Sequence, residues 1–324
     1  MVKEVLKNVF RIEVPLPRNP LKALNSYLIK GKSRSLLVDT GFNWPECKEA
    51  QINGLAHLAI DWSEVDFFLT HVHADHSGLI HELGTPESHV YCNQIDWDLL
   101  KASMSHNYWE QTKSFLLIHG FPVQDIGDQT VTIIDYISGT DVNCCFVRNE
   151  ETLTVGGYNF VCIETPGHSP GHMCLYEPEH RFLFSGDHIL ADISSNITSW
   201  NDGNDYLGLY LQSLDRVYAL DIKTVLPGHR GIIKDHRQRI SELKHHHRIR
   251  LQEIKDLLRK SSMTAYEVAS YMNWDVSYDS WQELSRYQRW FATGEAIAHL
   301  EHLCCRGEAV KDNQGSQVVF SLPL

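Results

Sequence analysis

Four side chains of metal-ligand type crowd into the run HVHADH: His71, His73, Asp75 and His76. The preceding VDFFLT reads as a buried strand, so the alternate residues His71 and His73 project from its end to one side. Asp75 and His76 follow on the turn into a helix and point a carboxylate and a third imidazole into the same mouth. Neutral imidazole with carboxylate suits zinc, iron(II) or manganese, and one ion does not easily use all four groups. A second ion is implied. Three more ligand-type residues stand at predicted strand ends, each after a glycine: His168 in TPGHSPGH, Asp187 in FSGDH and His229 in LPGHRG. The glycines are expected to let the backbone turn sharply and bring each ligand to the ions.

Seven such side chains need a scaffold that gathers strand ends. From Val9 to Val38 the chain runs in short β-rich stretches, VFRIEV, NSYLI and SLLVDTG, parted by PRNP and GKSRS, which predicts an antiparallel opening sheet. Cys47 to Ile60 has helical spacing, VDFFLT and HVYCN read as strands, and DWDLLKASMSHNYWEQTKSFLLIHGF reads as a helical insertion. Strands return in VTIIDY, NFVCIETPGH, MCLYEP and RFLFSGDH, followed by a helix at about 206–220 and the strand TVLPGH. Two such halves predict two sheets face to face with helices outside. After Gly231 a long helix is expected from Asp235 to Lys260, then one opened by the capping-box pattern Thr264-x-x-Glu267, then one from about Ser280 to Leu303. A hairpin around Asn313-Gln314-Gly315 ends the series. The expected division is a catalytic domain over 1–243, with an insertion at about 95–127, and a winged-helix-like domain over 244–324.

At 324 residues, with 43% hydrophobic and 22% charged residues, the chain has ordinary globular composition and room for one large domain plus an appendage. It shows neither a membrane-length apolar run nor a secretory leader, so a cytoplasmic protein is expected. Eight cysteines without a C-x-x-C pattern read as reduced, mostly buried small hydrophobes. The net charge of −12 disfavours nucleic acid as a partner.

The ordered set HVHADH, Gly-His168, Ser-Gly-Asp187 and Pro-Gly-His229, over roughly residues 8–235, resembles the metallo-β-lactamase-fold hydrolase superfamily. The resemblance implies an α+β fold, an αββα sandwich of two mixed β-sheets flanked by helices. It also implies two divalent ions, zinc first and iron or manganese as alternatives. His71, His73 and His168 would hold one ion, Asp75, His76 and His229 the other, with Asp187 bridging. A hydroxide shared between the ions would be the nucleophile, oriented by Asp75, so Asp75 and Asp187 are the expected catalytic residues. Asp39, in LLVDTG, matches an outer position that anchors a ligand histidine. An aspartate at 187 differs from the cysteine or serine of true β-lactamases, and His73 stands where the oxygen-reducing diiron branch has glutamate. The helical tail resembles the branch with a winged-helix-like C-terminal region.

Cleavage of a small-molecule ester, thioester or lactone is therefore the expected function. A phosphodiesterase on the same ions, or a metal-containing binding protein with little turnover, are the alternatives. Other residues carry competing readings. His172, His188 and Arg230 are expected to hydrogen-bond around the ligands, and His245-His246-His247 to lie on a solvated helix face. The third C-terminal helix, mixing Glu283, Glu295 and Glu301 with few arginines, reads as a structural or homodimer-forming element rather than a DNA-recognition helix. Tyr108, Trp109 and Phe115 in the insertion are read as a cap over the substrate.

Overall fold

The computed structural model describes residues 1–126, 136–274 and 280–323. Seven strands form the first sheet in chain order: β1 (Val2–Leu6), β2 (Val9–Pro15), β3 (Ala23–Ile29), β4 (Ser35–Val38), β5 (Val65–Phe68), β6 (Val90–Cys92) and β7 (Cys144–Phe146). The first four pair antiparallel, as the hairpin spacing predicts, and β4 to β7 run parallel, so the sheet is mixed. The second sheet, in order β12-β11-β10-β9-β8, comprises β8 (Thr152–Val155), β9 (Tyr158–Glu164), β10 (Met173–Glu177), β11 (Phe182–Gly186) and β12 (Thr224–Pro227). β1, β7 and β8 add to the predicted strands; β1 and β7 lack the alternation that marks a strand, and β8 is only four residues long. The strand expected at VTIIDY lies, apart from Tyr136, outside the described residues.

Side-chain alternation builds the layers. Val38 and Phe68 face Phe160, Leu175 and Phe184 of the second sheet, while their neighbours Leu37 and Phe67 face the helices outside. Strands covered on both sides lose the polar half of the pattern, which is why SLLV and VDFF read as nearly continuous apolar runs. On the first sheet's outer side lie α1 (Pro45–His57), the single turns α2 (Ala74–Ser77) and α3 (Ile80–Leu83), and α4 (Gln94–Ser103), whose Trp97 and Leu100 join that core. The expected insertion is two helices, because α4 ends and Ser105 caps a new one, α5 (His106–Ile118), before the short α6 (Val123–Ile126). On the second sheet's outer side α7 (Tyr206–Tyr218) buries Leu207, Tyr210, Leu214 and Val217.

The C-terminal unit contains α8 (His236–Leu258), α9 (Ala265–Tyr271), α10 (Arg286–Cys305) and the hairpin β13 (Val310–Gln314) with β14 (Gln317–Ser321). Asp235 caps α8 by accepting from the Gln238 amide, and Thr264 with Glu267 forms the expected capping box. The third helix begins later than expected, at Arg286, behind a second capping box of Ser285 and Gln288. α8 runs unbroken through 243/244: Ile240 and Leu243 pack on the second sheet, whereas Ile254, Leu257 and Leu258 pack into the C-terminal core. Phe115, Leu116, Phe121 and Ile126 enter that same core, so Phe115 is no part of a cap over the ligands, and Tyr108 and Trp109 pack edge-on against each other at 5.1 Å. Among the described residues no helix is long and apolar enough to cross a membrane.

Candidate metal centre

The ligand-type residues follow the ends of strands from both sheets. β5 leads through Leu69 and Thr70 to His71 and His73, and α2 then presents Asp75 and His76. β9 leads to His168, β11 ends at Gly186 just before Asp187, and β12 leads to His229. All seven side chains arrive at one edge of the sandwich. Their ligand atoms form overlapping groups that lie within 4.8 Å of one another: His71, His73 and His168 in one, Asp75, His76 and His229 in another, and His71, His76 and Asp187 across the two.

In the first group His73 Nδ1 stands 3.1 Å from His71 Nε2 and 2.9 Å from His168 Nε2. In the second, His76 Nε2 and His229 Nε2 are 3.2 Å apart, and Asp75 Oδ2 lies 3.3 Å from His229 Nε2. Asp187 joins them: its Oδ1 is 3.5 Å from His76 Nε2 and 3.6 Å from His229 Nε2, and its Oδ2 is 3.8 Å from His168 Nε2.

The other ring nitrogens fix the tautomers. His168 Nδ1 donates to the Asn196 carbonyl at 2.8 Å, and His229 Nδ1 to the Ala23 carbonyl at 2.8 Å. Thr70 Oγ1 gives its own proton to Asp39 Oδ2 at 2.9 Å, so its 3.0 Å contact with His71 Nδ1 has the imidazole as donor. His76 Nδ1 lies 2.7 Å from Asp39 Oδ2. Asp39, with its backbone at φ 60° and its Oδ1 accepting from the Thr70 amide at 2.9 Å, backs one ligand of each group. His71, His168, His76 and His229 thus turn their Nε2 atoms inward, towards a common centre in each group.

Electrostatics separates the groups. Burial, reinforced by neighbouring imidazoles, keeps His71 well below the ordinary histidine pKa and pushes His73 down to about 3. Burial likewise lowers His168 to about 4, so this trio is neutral. In the second group burial opposes charge on His76, yet Asp39, Asp187 and Asp75 outweigh it and lift His76 to about 10. His229 is also raised: burial is outweighed by Asp187 and Asp75. Asp75 resists its own burial through His76 and His229 and stays well below the usual carboxylate range.

Divalent ions fit this arrangement. Asp187 Oδ1 is buried without a hydrogen-bond partner among the described residues, and inward-facing imidazole nitrogens with carboxylates form a zinc-type donor set.

The outer shell corrects some expectations. His172 accepts from the Asp187 amide at 3.3 Å and contacts Thr165 Oγ1 at 2.8 Å, bracing the Asp187 backbone. His188 instead packs edge-on against Tyr210 at 5.3 Å, and the Arg230 guanidinium turns away to the Pro20 carbonyl. Gly167 and Gly186 adopt positive φ, as expected of turn glycines; Gly228 does not. Its need is space, since a Cβ there would stand 2.7 Å from the His76 ring and 2.8 Å from Asp187 Oδ1.

Residues without a motif complete the site. Asp96, at the start of α4, accepts from the Val72 amide at 2.9 Å, from Ser169 Oγ at 2.6 Å and from the Gly171 amide at 2.5 Å. It thereby ties the His71–His73 segment to the loop of His168; burial pushes it up to about 6 despite those three donors. Trp200 stacks on His73 with ring centres 5.9 Å apart.

Comparison with known proteins agrees with this geometry. The family model described as "Metallo-beta-lactamase superfamily" matches residues 21–135 and 143–229, and "Metallo-beta-lactamase-like, C-terminal domain" matches 251–320. The chain is 27% identical to the probable metallo-hydrolase YqjP of Bacillus subtilis, over 81% of this chain and 84% of that protein. It is also 27% identical to the atrochrysone carboxyl ACP thioesterase of Aspergillus fumigatus, over 68% of this chain but only 40% of that protein. Among solved structures, a metallo-beta-lactamase family protein from Thermus thermophilus superposes with a TM-score of 0.81 at 29% identity, covering 99% of this chain and 100% of the other. With two sheets between helices, the ligand motifs in order and a matched C-terminal region, this chain belongs to the metallo-beta-lactamase superfamily of metal-dependent hydrolases.

Proposed function

We propose that this protein hydrolyses carboxylic esters of small molecules, thioesters and lactones included, at a dinuclear centre. The observation that carries the reading is Asp187, whose two oxygens face different ligand groups. His71, His73 and His168 would hold one ion, Asp75, His76 and His229 the other, and Asp187 both. Two divalent ions, zinc first among the candidates, supply Lewis acidity that polarises an acyl carbonyl and lowers the pKa of water. The protein's part is orientation. Asp39, the Asn196 carbonyl and the Ala23 carbonyl hold the imidazoles in one tautomer each. Asp75, kept ionised by its histidine neighbours, accepts a hydrogen bond from the attacking water. Cleavage adds that water across the acyl bond and yields a carboxylic acid with a thiol or alcohol.

The choice of acyl over phosphoryl transfer is supported by the similarity to a protein named as a thioesterase. It is tested by assaying S-lactoylglutathione, p-nitrophenyl acetate, an acyl lactone and bis-p-nitrophenyl phosphate before chelation, after chelation and after metal is restored. Metal-dependent turnover of the acyl substrates is expected; turnover of the phosphodiester alone would replace this reading with a phosphodiesterase.

A further inference from the structure

The C-terminal unit reaches the centre through one chain of polar contacts. His168 Nδ1 donates to the carbonyl of Asn196, on the loop between β11 and α7. The Asn196 side-chain amide donates to Glu295 Oε2 of α10 at 2.9 Å and to the Phe291 carbonyl at 3.4 Å. Glu295 Oε1 faces Arg250 Nε of α8 at 3.3 Å, an ion pair that falls short of full hydrogen-bond geometry. Arg250 is itself fixed by the Asn273 carbonyl at 3.2 Å and by the Trp274 ring, 4.2 Å from its guanidinium carbon. Next door on the loop, Ser195 Oγ donates to the Asp187 carbonyl. The helix lies tight against this strip: a Cβ on Gly294 would fall 2.3 Å from Thr198 Oγ1.

A pair of charges as buried as Glu295 and Arg250, 5% and 7% exposed, is a poor device for stability, because desolvation cancels most of its attraction. Apolar residues of like volume would join α8 to α10 at least as well. What a carboxylate does there, and an apolar side chain cannot, is accept from Asn196. We propose that Glu295 is a positioning residue for the metal centre, acting through Asn196 to set the His168 imidazole, so that the C-terminal unit controls the geometry of the first ion. The proposal rests on the reading of His71, His73 and His168 as that ion's ligands.

The test is stepwise zinc titration of the purified full chain against a chromophoric chelator, with the visible d–d bands of the cobalt(II)-loaded protein as a second readout. Outer partners of ligating histidines typically change affinity by about 10- to 100-fold. Asn196→Ala keeps the carbonyl but cuts its tether, and leaves the Glu295–Arg250 pair in place. It is expected to weaken one of the two zinc steps about tenfold, to leave the other within about twofold, and to shift the cobalt bands. Glu295→Ala should do the same, the double variant should be no weaker than either single one, and Glu295→Gln, which still accepts from Asn196, should bind close to wild type. Unchanged affinities and spectra in Asn196→Ala would overturn the proposal, as would a Glu295→Gln variant that falls together with Glu295→Ala. Wild-type protein that takes up no metal would instead overturn the functional reading beneath it.

Discussion

Among the described residues two buried histidine clusters stand out, and one of them is arranged as a metal centre. At the sandwich edge, imidazoles from three strand ends meet with Asp75 and Asp187, and outer nitrogens of four of them are engaged by Asp39, Thr70 and backbone carbonyls. Between α8 and α10, His247 and His299 also touch, Nδ1 to Nε2 at 3.1 Å, but His299 Nδ1 donates to the Glu295 carbonyl, leaving Nε2 to accept from His247. That contact is a complete hydrogen bond, with no carboxylate in it. Density of histidine therefore does not make a metal site; convergence of electron pairs with negative charge does.

The sharpest way to break the comparison is to remove the bridge. Asp187→Ala is expected to bind at most one ion tightly and to lose more activity than the roughly 100-fold typical of an outer-partner loss. Elemental analysis and acyl-substrate kinetics check this, and two tightly held ions in the variant would refute the bridging role. Next comes Asp39→Asn, a residue type that tolerates the backbone at φ 60°. Losing the charge behind His76 is expected to weaken metal binding about 10- to 100-fold in a zinc titration and, with the ion present, to lower the melting temperature accordingly.

The C-terminal cluster should answer to acid. Burial holds His299 down at about 3 and His247 well below its ordinary value of 6.5, so both are neutral when folded. The unfolded chain takes up these protons from about 6.5 downwards, so their contribution to stability is complete above that pH and is lost progressively as pH falls towards 3. Each group adds a slope of at most about 1.4 kcal/mol per pH unit. Urea melts from pH 7 to 5 should show a shallower dependence in His299→Leu than in wild type. The smallest effect is expected at exposed His245, where alanine should change stability by less than about 0.5 kcal/mol and leave metal content unaltered.

The convergence of the seven side chains was legible because each sits in a short turn directly after a strand, a local property of the chain. The layers were legible in the doubly buried runs SLLV and VDFF. The partners of the ligands were not, since the carbonyls of Asn196 and Ala23 are backbone atoms, which any residue supplies, brought in by tertiary folding. Asp96 was hidden for the same reason: its task is to accept from amides of distant loops. The burial of His247 was readable but missed. With Leu243, Arg250 and Ile254 it completes the inward stripe of α8, so the solvated face assigned to the triple histidine holds for His245 alone. The aromatic ring beside the ligands is Trp200, not Phe115, because the insertion's apolar side is claimed by the C-terminal core.

His71, His73, Asp75 and His76 hang from the first sheet, while His168, Asp187 and His229 hang from the second. Ions held between them would act as rivets across the seam of the sandwich. Resistance to unfolding is then coupled to the metal supply, growing by about 1.4 kcal/mol for each tenfold rise in free ion above the dissociation constant. A shortage of the ion would then loosen the fold as well as empty the site.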